Sequence, residues 1–387
     1  MRRTNFFIIY MAWVLAAATI AVGAGCAGGG TTGGGGGNPT PAPIPAADYY
    51  VNGGMNVNEI FGFSTAPVGV TGTPAPLNNS PYSTVGANGS AGAPFGITLA
   101  KGGSVLFAVN NPQGSVSAFT VNGDASLTLV SSTNTQGAAP SGVCAAPNGT
   151  VAAVADTGSN QLETFTIAAN GTLAQAHVTA PSQNGLDAPL DCAFSPDSAH
   201  VYVTDSAGAS GISAFSVDGA GNITTIATYS VDSGMPAQGI AISSAATPLV
   251  FATTQAGNGM GVYAISSGGV LSPQAFQPTA IAPIGVAVAP NAQSVYVAAA
   301  GAKAVDGFHI NGFSLSELSG APYTTQATQS AYPSISSAGS LLVVMSPPDK
   351  AVTFFAVNAD GTLGYASTNL YGIPGLSGTT ADAVVVR

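Results

Sequence analysis

The side chains whose types could do chemistry are few, and most of them are aspartates. Asp191, in the segment LDCAFS, and Asp382, just before AVVV, stand at the entrances of two apolar runs. Asp156 and Asp205 close two others, VAAVAD and VYVTD. Carboxylates gathered at one rim could hold Ca²⁺, and Asp191 or Asp382 could act as a general base on water. The plainer role for Asp156 and Asp205 is to cap backbone N–H groups in the adjoining loops. Lys303 and Lys350 fall in loops where an ammonium could meet a phosphate or another anion; otherwise they are solvated loop lysines. Arg387, the last residue, is expected to fray. His177, His200 and His309 show no metal-ligand spacing. No Gly-x-Ser-x-Gly elbow or phosphate-binding glycine loop occurs in a strand–turn–helix setting. No cofactor is expected, and Ca²⁺ is the one ion these residues suggest.

Regular elements must position those residues, and the chain spells them out as a repeat. The stretch 282–318, APIGVAVAPNAQSVYVAAAGAKAVDGFHINGFSLSEL, reads as four short strands rich in β-branched and aromatic residues, separated by Pro, Asn and Gly. Similar units open at Pro94, Pro140, Pro189, Pro236, Pro283 and Pro333, with spacings of 46, 49, 47, 47 and 50 residues. Their second strands read VLFAVN, VAAVAD, VYVTD, LVFATT, VYVAAA and LLVVM. Asn-Gly, Gly-Asn, Gly-Gly and Asp-Gly pairs close the third strands, as tight hairpins require. A four-stranded meander cannot bury both faces alone, and a period near 47 residues fits propeller blades. The first strand of the sixth unit is expected to start at Ser334, in SISSAG.

Six units are complete, and the termini supply a seventh in pieces. Tyr49–Gly53 reads as a second strand and Ile60–Phe63 as a third, while Ala383–Val386 provides the missing first strand. Their pairing would close the ring and remove an exposed sheet edge. The expected fold is therefore an all-β, seven-bladed β-propeller of four-stranded antiparallel blades over residues 48–387, closed by its N- and C-terminal strands. Cys144 and Cys192 lie one residue out of phase in neighbouring first strands. That offset turns their side chains to opposite sheet faces, and buried packing is expected in place of a disulfide.

Only 6% of the 387 residues are charged, and the formal net charge is −10. Beyond residue 26 the cations are Lys101, Lys303, Lys350 and Arg387. So few cations argue against nucleic-acid binding, which needs clustered charge to neutralise phosphates. At the N-terminus, Arg2 and Arg3 precede an apolar stretch from Phe6 to Val22 and then Gly23-Ala24-Gly25-Cys26. This resembles a bacterial lipoprotein signal (residues 1–25), with Gly23 where such signals usually carry Leu, Val or Ile. The resemblance implies lipidation of Cys26 and an exported protein held in the cell envelope. An ordinary secretory signal or a retained anchor helix are the alternatives. Residues 26–47, rich in Gly and then Pro, read as a flexible tether.

The units P-x-G-[IV]-A-[IV]-x-P-[DN], followed by VYV-[AT]-x and an [ND]-G-x-L turn, resemble the YVTN-type propellers. They are also similar to the seven-bladed lactonase family that includes a 6-phosphogluconolactonase. VYVTD at Val201 and VYVAAA at Val295 carry the likeness best. These are packing motifs, so the primary functional expectation is an envelope-anchored, monomeric binding or scaffolding module. Its ligand, a protein or a small molecule such as a carbohydrate, would sit on the propeller rim. The family resemblance implies a lactone hydrolase working at the channel mouth as the alternative, and a structural or adhesive surface protein is the third reading.

Overall fold

In the computed structural model, strand-forming β-branched and aromatic runs pair as antiparallel meanders from Asp48 to Val386. The structure describes residues 46–387 except 54–56, 66–73, 88–94, 112, 181–184, 233 and 370–380; side chains are also left undescribed at 57, 85–87, 367–369 and 381–382. The expected leader, Cys26 and most of the tether thus lie outside the described residues. No α-helix occurs among them.

Seven sheets form the blades. Blade 1 holds Ile97–Ala100, Val105–Asn110, Ser115–Val121 and Leu127–Asn134. Blade 2 holds Pro140–Ala145, Val151–Asp156, Gln161–Ile167 and Leu173–Val178. Blade 3 holds Pro189–Phe194, His200–Asp205, Ile212–Val217 and Ile223–Tyr229. Blade 4 holds Ile240–Ile242, Leu249–Thr254, Gly259–Ile265 and Leu271–Pro278. Blade 5 holds Pro283–Val288, Ser294–Ala299 and Ala304–Asn311, with its outer edge divided between Ser314–Glu317 and Tyr323–Thr324. Blade 6 holds Tyr332–Ile335, Leu341–Ser346, Ala351–Val357 and Leu363–Asn369.

Blade 7 is built from both ends of the propeller. Ala381–Val386 pairs with Asp48–Gly53, with Tyr49 opposite Val386 and Val51 opposite Val384. Val57–Ser64 follows, flanked by Ala75–Pro76 and Tyr82–Ala87. The ring closure read from the sequence is thereby realised.

The repeated residues serve packing between blades. Second strands are buried throughout their length in blades 1 to 6. Clusters such as Val105, Phe107, Val154 and Phe165 join one blade to the next. The tyrosine of the VYV motif has a specific task. Tyr202 donates its hydroxyl proton to the Gly269 carbonyl at 2.9 Å, and Tyr296 does the same to Gly361 at 2.7 Å. Tyr50 reaches Ala125 at 2.7 Å. Each hydroxyl ends on the turn before the outer strand of the following blade, so the phenol satisfies its polar tip while its ring fills the interface.

One strand assignment needs correction. The first strand of blade 6 begins at Tyr332, and Pro333 lies within it, opposite Val344. Pro333 therefore matches Val286, which faces Val297, rather than Pro283. A proline is tolerated there because the innermost strand is a sheet edge, where a missing N–H removes no ladder bond.

Candidate functional site

The seven first strands surround a central channel, and their registers stack into layers. Ile97, Val143, Cys192, Ile240, Val286, Pro333 and Val384 face equivalent second-strand residues. The residues just before them are Gly96, Gly142, Asp191, Gly239, Gly285, Tyr332 and Ala383. At this level the strands nearly touch. A Cβ on Gly142 would come within 2.4 Å of the Leu190 carbonyl, on Gly239 within 2.7 Å of Ile284, and on Gly285 within 2.6 Å of Ala331. Glycine is therefore required where blade follows blade most tightly.

Asp191 occupies a position that is glycine in four other blades. The register shifts between Pro189 and Cys192, as it does between Pro283 and Val286 around Gly285. Its Oδ1 accepts the Cys192 N–H at 2.8 Å, and its Oδ2 accepts the Ile240 N–H of blade 4 at 2.9 Å. The carboxylate thus replaces a close backbone approach with a charge-assisted link between blades. Protein encloses it, yet some of its surface reaches the channel lumen. Burial pushes its carboxyl up to about 7, against the downward pull of the Ile240 and Cys192 N–H groups.

The lumen around Asp191 has a volume of about 190 Å³. Phe95 crosses one end of it. The Phe95 ring packs edge-on against Tyr332 of blade 6, with centroids 5.2 Å apart. It also lies 3.4 Å from where a Gly239 Cβ would stand, in blade 4. Thr98, Ser334 and Val385 then lead along the strands to a mouth of about 330 Å³. That mouth holds two cations, Lys101 and Arg387, and Ser337. Among the described residues Asp191 is the sole acidic side chain lining these two recesses.

Neither cation of the mouth was assigned to a site from the sequence. Lys101 follows a first strand in the left-handed region (φ 51°), and its stem leans on Gly149 of blade 2. Arg387 is not frayed. Its N–H donates to the Asp48 carbonyl at 2.8 Å, and its side chain packs along Gly103. Ring closure holds the residue in place, which a strand-by-strand reading does not anticipate. Its guanidinium also reaches the Tyr50 hydroxyl, whose pKa burial raises and this contact lowers.

The other candidates are dispersed. Lys303 and Lys350 end their turns in the left-handed region (φ 54° and 52°), as Asn160 and Asn258 do in theirs. Neither lines the channel recesses. Asp205 is fully buried; it accepts the Asp187 N–H at 3.0 Å and the Ser213 hydroxyl proton at 2.7 Å. Burial raises its carboxyl to about 7, against those two donors. It fastens the loop that enters its own blade. Asp306 accepts the Ala280 N–H in the same way in blade 5, at 2.5 Å. Asp156 is also fully buried, but neither of its oxygens accepts a bond from a loop N–H. Asp382 falls in the closing strand, with its side chain outside the described residues. Among the described residues no group of three or more His, Cys, Asp or Glu side chains could hold a metal ion.

Cys144 and Cys192 correct the sequence expectation. They form a disulfide, with Cα atoms 5.7 Å apart. The one-residue offset does send the side chains to opposite sheet faces, and that is why they meet. Cys144 points forward from blade 2 and Cys192 backward from blade 3, into the one apolar cluster shared by both blades. Opposite faces of adjacent blades face each other. The bridge lines the channel beside Asp191.

Comparison with known proteins agrees with this architecture. Residues 81–235 match the family model described as Lactonase, 7-bladed beta-propeller. A Pseudomonas aeruginosa protein described as a periplasmic gluconolactonase superposes with a TM-score of 0.68 at 14% identity, covering 89% of this chain and 99% of the other. A Bacteroides fragilis protein provisionally named a 6-phosphogluconolactonase gives 0.68 at 17% identity, covering 88% and 98%. A Lactobacillus plantarum protein gives 0.71 at 13% identity, covering 89% and 100%. At these identities the superpositions establish the fold. No curated protein matches the chain.

Proposed function

We propose that this lactonase-type seven-bladed propeller hydrolyses a small anionic sugar lactone in its central channel. The observation that carries the reading is Asp191, the single channel carboxylate among the described residues, set at a position that is glycine in four other blades and behind a mouth lined by Lys101 and Arg387. With Phe95 across the far end, the substrate enters past the two cations, which draw its anionic group. Asp191, with its carboxyl near 7, is poised to take a proton from water as that water attacks the ring carbonyl carbon. The same proton passes to the ring oxygen as the acyl C–O bond breaks. Water is consumed, a hydroxy acid is released, and no other reactant is needed. The names of the P. aeruginosa and B. fragilis proteins support a sugar lactone, and the B. fragilis name supports a phosphorylated one.

A second reading is binding without turnover, and one observation favours it. Both Asp191 oxygens already accept a backbone N–H, which suits a residue that locks two blades together. Purified protein given gluconolactone and 6-phosphogluconolactone separates the two. Hydrolysis that falls more than about 100-fold in Asp191→Asn, with the fold intact by circular dichroism, supports the enzyme; saturable binding with no turnover in wild type refutes it. Lys101→Gln should raise KM for the phosphorylated lactone and leave the neutral one unchanged.

For residues 1–47 we propose an export signal, lipidation of Cys26 and a tether that holds the propeller off an envelope membrane. Metabolic labelling with a fatty acid tests this: label lost in Cys26→Ala supports it, and an unlabelled wild type sinks it.

A further inference from the structure

Asp156 and Glu163 are both completely buried, and the reaction proposed above uses neither. Val154 faces Glu163 and Asp156 faces Gln161 across the second and third strands of blade 2. The two carboxyl side chains therefore leave the sheet on one face as diagonal neighbours. It is the face packed on blade 1, shared with Val154 and Phe165.

No cation meets them there. The second, third and outer strands of blade 1 carry no charged residue, nor do the loop 135–139 and the first strand Pro140–Ala145. On the outer strand of blade 2, His177 pairs with Thr164, one residue out of phase with Glu163, and so projects from the opposite face. Glu163 accepts the Gly137 N–H through Oε1 and the Gln175 amide through Oε2, the latter at 2.9 Å. Asp156 receives no such donor. It packs directly under the same loop, where a Cβ on Gly137 would fall 2.5 Å from its carboxyl carbon.

Equivalent positions elsewhere in the ring never carry two acids. They are Asn110 with Ser117, Asp205 with Ser213, Thr254 with Gly261, Ala299 with Asp306, Ser346 with Thr353, and Gly53 with Phe61. Two carboxylates in an apolar interface without a cation cannot both be ionised. One proton must remain, and Asp156, which otherwise has no partner, is the group that holds it and donates it to Glu163.

We propose that the Asp156–Glu163 pair is a one-proton clamp on the loop 135–139, closed at neutral pH and opened when alkali removes that proton. Burial first, and the charge and hydrogen bond of Glu163 next, push the Asp156 carboxyl up to about 9. Ionisation then sets two negative charges beneath Gly137 and drives the loop off the blade. That loop feeds the strand carrying Cys144, so its release alters one wall of the channel.

Hydrogen exchange at the Gly137 amide, corrected for intrinsic rates and followed from pH 6 to pH 10, tests the clamp. Protection in wild type should fall by about tenfold or more between pH 8 and pH 10. In Asp156→Asn, whose amide donates to Glu163 at any pH, protection should stay level. An identical alkaline loss in both proteins, or none in wild type, overturns the proposal. Should the variant fail to fold, infrared spectra of wild type decide instead. A protonated-carboxyl band persisting at pH 8 and vanishing by pH 10 supports the clamp, and its absence at pH 8 refutes it.

Discussion

Opening the Cys144–Cys192 bridge tests how far long-range ties hold the ring together. The two cysteines are 48 residues apart, so the bridge closes a whole blade's length of chain. The loop-entropy relation for such a closure gives roughly 4 kcal/mol of stabilisation, exerted mainly on the unfolded chain. At ~2.1 cal/mol/K per residue, residues 46–387 carry an unfolding entropy of ~0.7 kcal/mol/K, so the loss should lower Tm by ~6 °C. The sulfurs sit in a buried cluster that keeps its other members, so little packing is lost besides. Calorimetry would compare the oxidised protein, the protein reduced under native conditions, Cys144→Ala, Cys192→Ala and the double variant. Either single substitution opens the same link, so each should show nearly the full drop and the double variant little more. Additive single effects would show that side-chain packing, and not the crosslink, does the stabilising. A Tm within a degree of wild type in every form would refute the reasoning altogether.

Three further outcomes follow from the same structure. Removal of Ala381–Arg387 strips the first strand from blade 7 and Arg387 from the mouth, so unfolding should shift for the whole propeller and not for one blade; an unchanged melting transition would exclude closure by this strand. Gly142→Ala places a Cβ 2.4 Å from the Leu190 carbonyl and should cost about 1–3 kcal/mol by urea unfolding, whereas Gly219→Ala, with open space around it, should cost under about 1 kcal/mol. Asp191 and Asp205 are raised to about 7 and Asp156 to about 9, so the folded state holds protons that the unfolded chain has released. Their stabilisation is complete below the unfolded carboxyl range and fades as pH rises toward 9. Thermal unfolding should accordingly come at a higher temperature at pH 5 than at pH 9, and the reverse order would contradict the burial of these groups.

The architecture was legible because it is local and repeated. Turn pairs such as Asn170-Gly171, apolar second strands and the 47-residue period each act over a few residues, and blades bury one another in the same way each time. Even ring closure showed in the leftover strands at Tyr49–Gly53 and Ala383–Val386. The site was legible only in part. Asp191 stood out as a carboxylate at a strand entrance, and aligning it on Gly142, Gly239 and Gly285 would have marked it as the exception to a glycine layer. Nothing local marks Lys101 and Arg387 as neighbours of one mouth, since they come from opposite ends of the propeller.

The sequence by itself therefore determined the blades, their number and their closure, because strand pattern and turn chemistry are properties of short segments. Only the tertiary structure decided which groups meet. It joined Cys144 to Cys192 because adjacent blades pack opposite faces together. It paired Asp156 with Glu163 beneath the loop at Gly137, and it set Asp191 behind Lys101 and Arg387 along a single channel. Those contacts depend on the direction of each side chain about a common axis, which exists only once the ring has closed.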